Sequence, residues 1–181
     1  MRATSILALA ALTVSVSANR FFTCWTGGLS AGVLEIVKNG NETTRLALAA
    51  DGSLIRSPDG SQNVFEFVPC TSKFPGHPDV ARTSGKVTAY GRLLGSGGCL
   101  SRDTASGKIL TKACIAPDDA RQAQQFWTVT LADHGEDEEA TGDSTLGFVA
   151  SGFFPQLANG QVYQATSKPP SSWNLRFIYT E

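Results

Sequence analysis

The sequence predicts an all-β protein built from three related repeats, and three observations lead there. A six-residue motif recurs three times, an aromatic-led stretch with strand character follows each copy, and no segment carries a convincing helical period. The motif copies are Ala50-Asp51-Gly52-Ser53-Leu54-Ile55, Ala105-Ser106-Gly107-Lys108-Ile109-Leu110 and Ala158-Asn159-Gly160-Gln161-Val162-Tyr163. Each runs Ala, small polar, Gly, polar, then two apolar residues, with the glycines 55 and 53 residues apart. A small polar residue before Gly between apolar stretches is a hairpin signal, because such turns need positive φ.

In chain order, the first element is a leader. Residues Met1 to Ala18 carry one positive charge at Arg2, an apolar stretch from Ile6 to Val16 and small residues Ser17 and Ala18 before Asn19, the order of a secretory signal peptide. The apolar stretch is shorter than the roughly 20 residues a membrane span takes, and no later segment approaches that length, so no membrane insertion is expected. The mature protein is read as Asn19 to Glu181, secreted and extracellular, 163 residues long and sized for one domain.

The chain has 15 basic and 16 acidic side chains, and loss of Arg2 leaves 14 against 16. With no basic block to follow a phosphate backbone, nucleic acid is not an expected partner. Cys24, Cys70, Cys99 and Cys114 form an even set in a chain bound for an oxidising compartment. Two disulfides are expected, with three pairings open. Asn41-Glu42-Thr43 fits the N-glycosylation sequon, and Gly40 beside it marks an exposed turn.

The aromatic-led stretches are Asn63-Val64-Phe65-Glu66-Phe67, Gln125-Phe126-Trp127-Thr128-Val129 and Ser171-Ser172-Trp173-Asn174-Leu175. Phe65, Trp127 and Trp173 follow their glycines by 13, 20 and 13 residues, so the middle copy holds a seven-residue insertion in the stretch that includes Cys114 to Asp119. Alternation in Phe65-Glu66-Phe67 and Trp127-Thr128-Val129 is that of half-buried strands, which puts all three aromatics inward at equivalent places, as core. Repeats of this length exceed a propeller blade, and three are too few for a propeller; a closed three-fold β structure fits. The short polar segments Asp118 to Gln125 and Asp133 to Ala140 are the nearest approach to helix.

Gly98-Cys99-Leu100, a second cysteine at Cys114 and then Gln125-Phe126-Trp127 resemble one repeat of the ricin B-type β-trefoil lectins, over residues 85 to 131. The resemblance implies a β-trefoil over 19–181, with repeats at 23 to 71, 85 to 131 and 145 to 180. It also implies the disulfides Cys99–Cys114 and Cys24–Cys70. In sugar-binding repeats of that family an acidic residue, an aromatic and an Asn grip the sugar, and the matching positions here hold Ser101, Lys112 and Gln124. Only Gln124 keeps the chemistry, with Asp103 as a substitute acid; Tyr163 is the nearest aromatic in the other repeats. Asp103 and Gln124 are thus the candidate ligand-binding residues, and Phe65, Gln125, Trp127 and Trp173 the structural set.

Other patterns lack a context for chemistry. Gly28-Leu29-Ser30-Ala31-Gly32 fits the nucleophile-elbow pattern, but Val33 to Val37 reads as a strand where that motif needs a helix. His77 and His134 have no matching carboxylate at a diagnostic spacing and no zinc-ligand spacing, and the Glu136 to Glu139 stretch with Asp133 and Asp143 reads as a solvated loop. No metal, cofactor or enzymatic activity is expected. The expected function is a secreted carbohydrate-binding module with degenerate sugar positions, its partners glycans or an extracellular protein. The alternatives are a β-trefoil protease inhibitor acting through an exposed loop, Lys73 to Val80 or Lys168 to Ser172, or a protein-binding effector without sugar binding.

Overall fold

The computed structural model describes residues 23–24, 30–73, 80–83, 85–132, 144–148 and 153–180. The leader, both histidines, the acidic stretch and most of the loop after Lys73 lie outside these residues. The described elements are β1 Thr23–Cys24, β2 Ser30–Lys38, β3 Glu42–Leu48, β4 Leu54–Arg56, β5 Phe65–Thr71, β6 Val80–Thr83, β7 Lys86–Gly95, β8 Gly98–Arg102 and β9 Ile109–Lys112. A 3-10 turn, Ala120–Gln124, then leads to β10 Trp127–Ala132, β11 Ser144–Phe148, β12 Pro155–Ala158, β13 Gln161–Gln164 and β14 Trp173–Tyr179. The protein is therefore all-β with extensive antiparallel pairing, and no α-helix occurs among the described residues. In the segment Asp118 to Gln125, only the 3-10 turn forms, capped by the Asp119 carboxylate, which accepts from the Arg121 N–H at 2.9 Å. No described helix is long and apolar enough to cross a membrane.

Six strands close on one another. β2 pairs with β5, β5 with β7, β7 with β10, β10 with β11, β11 with β14, and β14 returns to β2. Closure satisfies the strands' backbone groups without leaving a free edge in the ring. Three hairpins, β3–β4, β8–β9 and β12–β13, stand beside it. Their turns hold Gly52, Gly107 and Gly160 at φ of +80°, +73° and +76°, a backbone region that glycine enters without a Cβ clash.

The hairpins are joined in a cycle. The Gly52 carbonyl accepts from the Thr111 N–H at 2.9 Å, that of Gly107 from Gln164 at 2.8 Å, and that of Gly160 from Arg56 at 2.7 Å. Bridges Ser53–Leu110, Lys108–Tyr163 and Gln161–Ile55 repeat the relation beside each bond. Each time, one glycine contacts the residue four places after the next glycine in the cycle. The first apolar residue after each glycine, Leu54, Ile109 and Val162, is fully buried. The motif thus couples a turn to a core anchor two residues later.

Inside the ring, Leu34, Ile36, Phe65, Leu93, Trp127, Val129, Leu146, Leu175 and Phe177 form one apolar cluster with these three anchors. Phe65 and Trp127 point inward as expected. Trp173 differs: it shares a face with Leu175 and Phe177 but stands at the first position of β14 and is only half-buried. Strand alternation gave the correct face; the ring stands at the strand's first position and lines a surface groove, which leaves it partly uncovered.

Both disulfides, Cys24–Cys70 and Cys99–Cys114, are formed. The first links facing residues of β1 and β5, and the second joins β8 to the start of the middle-repeat insertion. That insertion is pinned by polar side chains. Arg92 donates to the Ile115 carbonyl and to Gln122 Oε1, and Gln122 Nε2 donates to the carbonyls of Ile115 and Pro117 at 2.7 and 2.8 Å. Asp118, itself buried, accepts from the Ser72 hydroxyl and, at 2.7 Å, from the Lys73 N–H. Ser30 begins β2, so the G-x-S-x-G pattern runs into a strand and not a strand-to-helix turn.

Candidate functional site

The positions singled out in the middle repeat are engaged in holding the fold. Gln125 is buried, and its amide donates to Ser101 Oγ at 2.8 Å and to the Ala113 carbonyl at 2.9 Å while its oxygen accepts from the Ile115 N–H at 2.8 Å. The Trp127 indole N–H donates to the Leu100 carbonyl at 2.8 Å. Gln125 and Trp127 therefore tie β8, the insertion and β10 together. Ser101 is buried beneath them and faces no solvent.

Asp103 opens the turn between β8 and β9. Its carboxylate accepts from the Ser106 N–H at 3.0 Å, the Ser106 hydroxyl at 2.6 Å and Lys112 Nζ at 2.8 Å. The Lys112 and Ser106 hydrogen bonds hold its pKa far below the ordinary carboxylate range. Such a carboxylate is ionised, but three hydrogen bonds within its own hairpin occupy most of its acceptor sites. A small groove of about 200 Å³ lies beside it, lined by Arg102, Asp103, Thr104, Gly107, Gln164 and Thr166 among others. Arg102 Nη1 donates across it to Gln164 Oε1 at 2.7 Å. Gln124 lies half-buried on the 3-10 turn and is not part of this groove's lining. The structure does not bring the two candidate ligand-binding residues together there.

A larger groove, about 480 Å³, runs along the third repeat between β11, the approach to β12 and the approach to β14. Its wall holds Phe148, Phe153, Phe154, Pro155, Pro169 and Trp173. Phe153, Phe154 and Trp173 are half-buried, so parts of their rings face the groove, while Phe148 is buried as its floor. That floor is continuous with the core: the Phe148 and Trp127 ring centroids are 3.7 Å apart, and Phe153 meets Phe148 edge-on at 4.8 Å. Rings packed in this way are held in place before a ligand arrives.

Polar groups line the remaining side. Ser171, Ser172 and Asn174 belong to the lining, and Lys168 is its one charged residue among those described. The segment 168–172 is tied to the turn after β2: Asn39 N–H donates to the Ser172 carbonyl at 2.8 Å, and the Ser172 N–H donates to Asn39 Oδ1 at 3.2 Å. Trp173 faces Lys38 across the β14–β2 pair, with Lys38 Nζ 5.7 Å from its ring centroid. Lys38 also approaches Glu42 at 3.5 Å.

Of this groove, sequence reasoning had found Trp173 and the segment Lys168 to Ser172, but as core and as an inhibitory loop. Phe153, Phe154 and Asn174 were missed. The available signal was Phe153-Phe154 ahead of the Gly160 hairpin, two large apolar residues in succession outside the three aromatic-led stretches. Tyr163, by contrast, donates its hydroxyl to Gln161 Oε1 at 2.6 Å on its own strand and lines neither groove. No cluster of metal-ligating side chains occurs among the described residues.

Comparison with protein-family models, with curated proteins and with solved structures found no match, so the reading of this site rests on its own chemistry.

Proposed function

We propose that this chain is a secreted carbohydrate-binding module of β-trefoil architecture, akin to the ricin B-type lectins, whose working site is the aromatic groove of the third repeat. One observation carries the reading: Phe153, Phe154 and Trp173, each partly exposed, line one groove together with Ser171, Ser172 and Asn174. A pyranose has an apolar face that stacks on a ring and an equatorial fringe of hydroxyls that needs donors and acceptors, and this groove supplies both. The closed six-strand ring and the cyclic glycine hairpins support the trefoil reading, and the leader with two disulfides supports secretion. Asn41 is exposed on the turn before β3 and is the proposed glycan acceptor.

The protease-inhibitor alternative needs a protruding loop. Segment 168–172 is instead bonded to the Asn39 turn at both backbone groups of Ser172, which favours the groove reading for it. The test is a glycan array on the secreted protein, run beside serine and cysteine proteases. Sugar-competable binding that drops at least about tenfold in Trp173→Ala, yet persists in Asp103→Ala, is the expected result; loss of a stacking aromatic from a binding pocket costs about 2 kcal/mol or more. Nanomolar protease inhibition without glycan binding would overturn the proposal.

A further inference from the structure

Resting on that reading, we infer that the ligand of the third-repeat groove is an acidic sugar, a uronate or sialate, and not a neutral one. Among the described residues, the groove's lining contains Lys168 and no Asp or Glu. A second ammonium, Lys38, lies over the Trp173 ring, 5.7 Å from its centroid, though Lys38 is not part of the lining. A carboxylate, which would accept from the paired hydroxyls of a neutral sugar, does not occur in the lining among the described residues. Ammonium groups are donors only. Around an apolar, ring-lined floor, donors of positive charge complement a carboxylate carried on the sugar itself, through charge-assisted hydrogen bonds stronger than those to a hydroxyl.

Lys168 is exposed and lines the groove, four residues before Ser172, which Asn39 bonds at both backbone groups. Lys38 keeps Glu42 as a neighbour at 3.5 Å, and Glu42 is largely exposed, so that contact is screened by water and yields to a better-placed anion. Lys168 is thus the main recognition group and Lys38 adds to the local field.

Matched ligand pairs test this: sialyllactose with lactose, and oligogalacturonate with the same oligomer after carboxyl reduction, each titrated against the secreted protein. The expected result is that at least one acidic member binds at least about tenfold tighter than its neutral partner, the low end for one charge-assisted hydrogen bond. That margin should shrink in Lys168→Ala, return in Lys168→Arg, and fall as salt is raised, since exposed charges are screened. Equal binding of acidic and neutral members, unchanged in Lys168→Ala, would overturn the inference and leave the lectin reading in place. Absence of binding to any glycan of the array would overturn both. The exposed position of Lys168 makes the variants fold-neutral, which a circular dichroism spectrum checks.

Discussion

Trp127 occupies the middle of the apolar cluster with no exposed surface and a fixed acceptor for its indole N–H, the Leu100 carbonyl. Its truncation leaves a large void beside Phe148 and Phe153, both of which its ring contacts, and an unpaired buried carbonyl. Trp127→Ala should cost about 3–5 kcal/mol, read from chemical denaturation; unchanged stability would mean the ring is not core. Asp103 acts on the surface. Its partners Lys112 and Ser106 lower its folded pKa well below the ordinary value of 3.8, so the native state binds fewer protons than the unfolded chain. The resulting stability is present above about pH 4 and is lost as pH falls through the depressed folded value. Asp51, Asp59 and Asp119 shift in the same direction through Ser53, Ser61 and Arg121. A melting-temperature profile from about pH 5 to pH 2 should fall on the acid side, and Asp103→Asn should flatten that fall.

Among the elements, the three hairpins look alike in sequence yet differ in tolerance. A Cβ on Gly52 would sit 2.5 Å from Thr111 Oγ1, inside the neighbouring hairpin, whereas one on Gly160 would meet nothing within 4 Å. Both carry the strain of positive φ, about 1–2 kcal/mol for an L-residue, but only the first adds a clash. Gly52→Ala should therefore destabilise clearly more than Gly160→Ala in urea unfolding; equal effects would show that Thr111 rotates away at no cost. The strands were legible from alternation where both neighbours are covered, as with Phe65 and Phe67. They were less so at ends: Trp173 lies on the correct face, but its exposure depends on what stands above it. The insertion was visible only as a difference in spacing, and its anchoring by Arg92, Gln122 and Asp118 was not, because those contacts span up to 46 residues of chain.

For the whole molecule, closure and crosslinks act on the unfolded chain as well as the folded one. Cys24–Cys70 spans 46 residues and Cys99–Cys114 spans 15. Chain-entropy arguments give about 4 and about 3 kcal/mol respectively. Removing the first pair by double Cys→Ala substitution should thus lower stability more than removing the second, and non-reducing peptide mapping should find these two links and no others. The sequence by itself determined the all-β class, the three glycine turns and the inward side of Phe65 and Trp127. Each of these depends on local geometry: positive φ at a small residue, and a two-residue alternation along a strand. The disulfide partners came from the family resemblance, since four cysteines alone leave three pairings open. The tertiary structure decided the rest. It closed the six-strand ring, engaged Asp103 and Ser101 in structural contacts, and gathered Phe148, Phe153, Lys168 and Trp173 into one groove, because residues far apart in sequence meet only when the strands that carry them are paired.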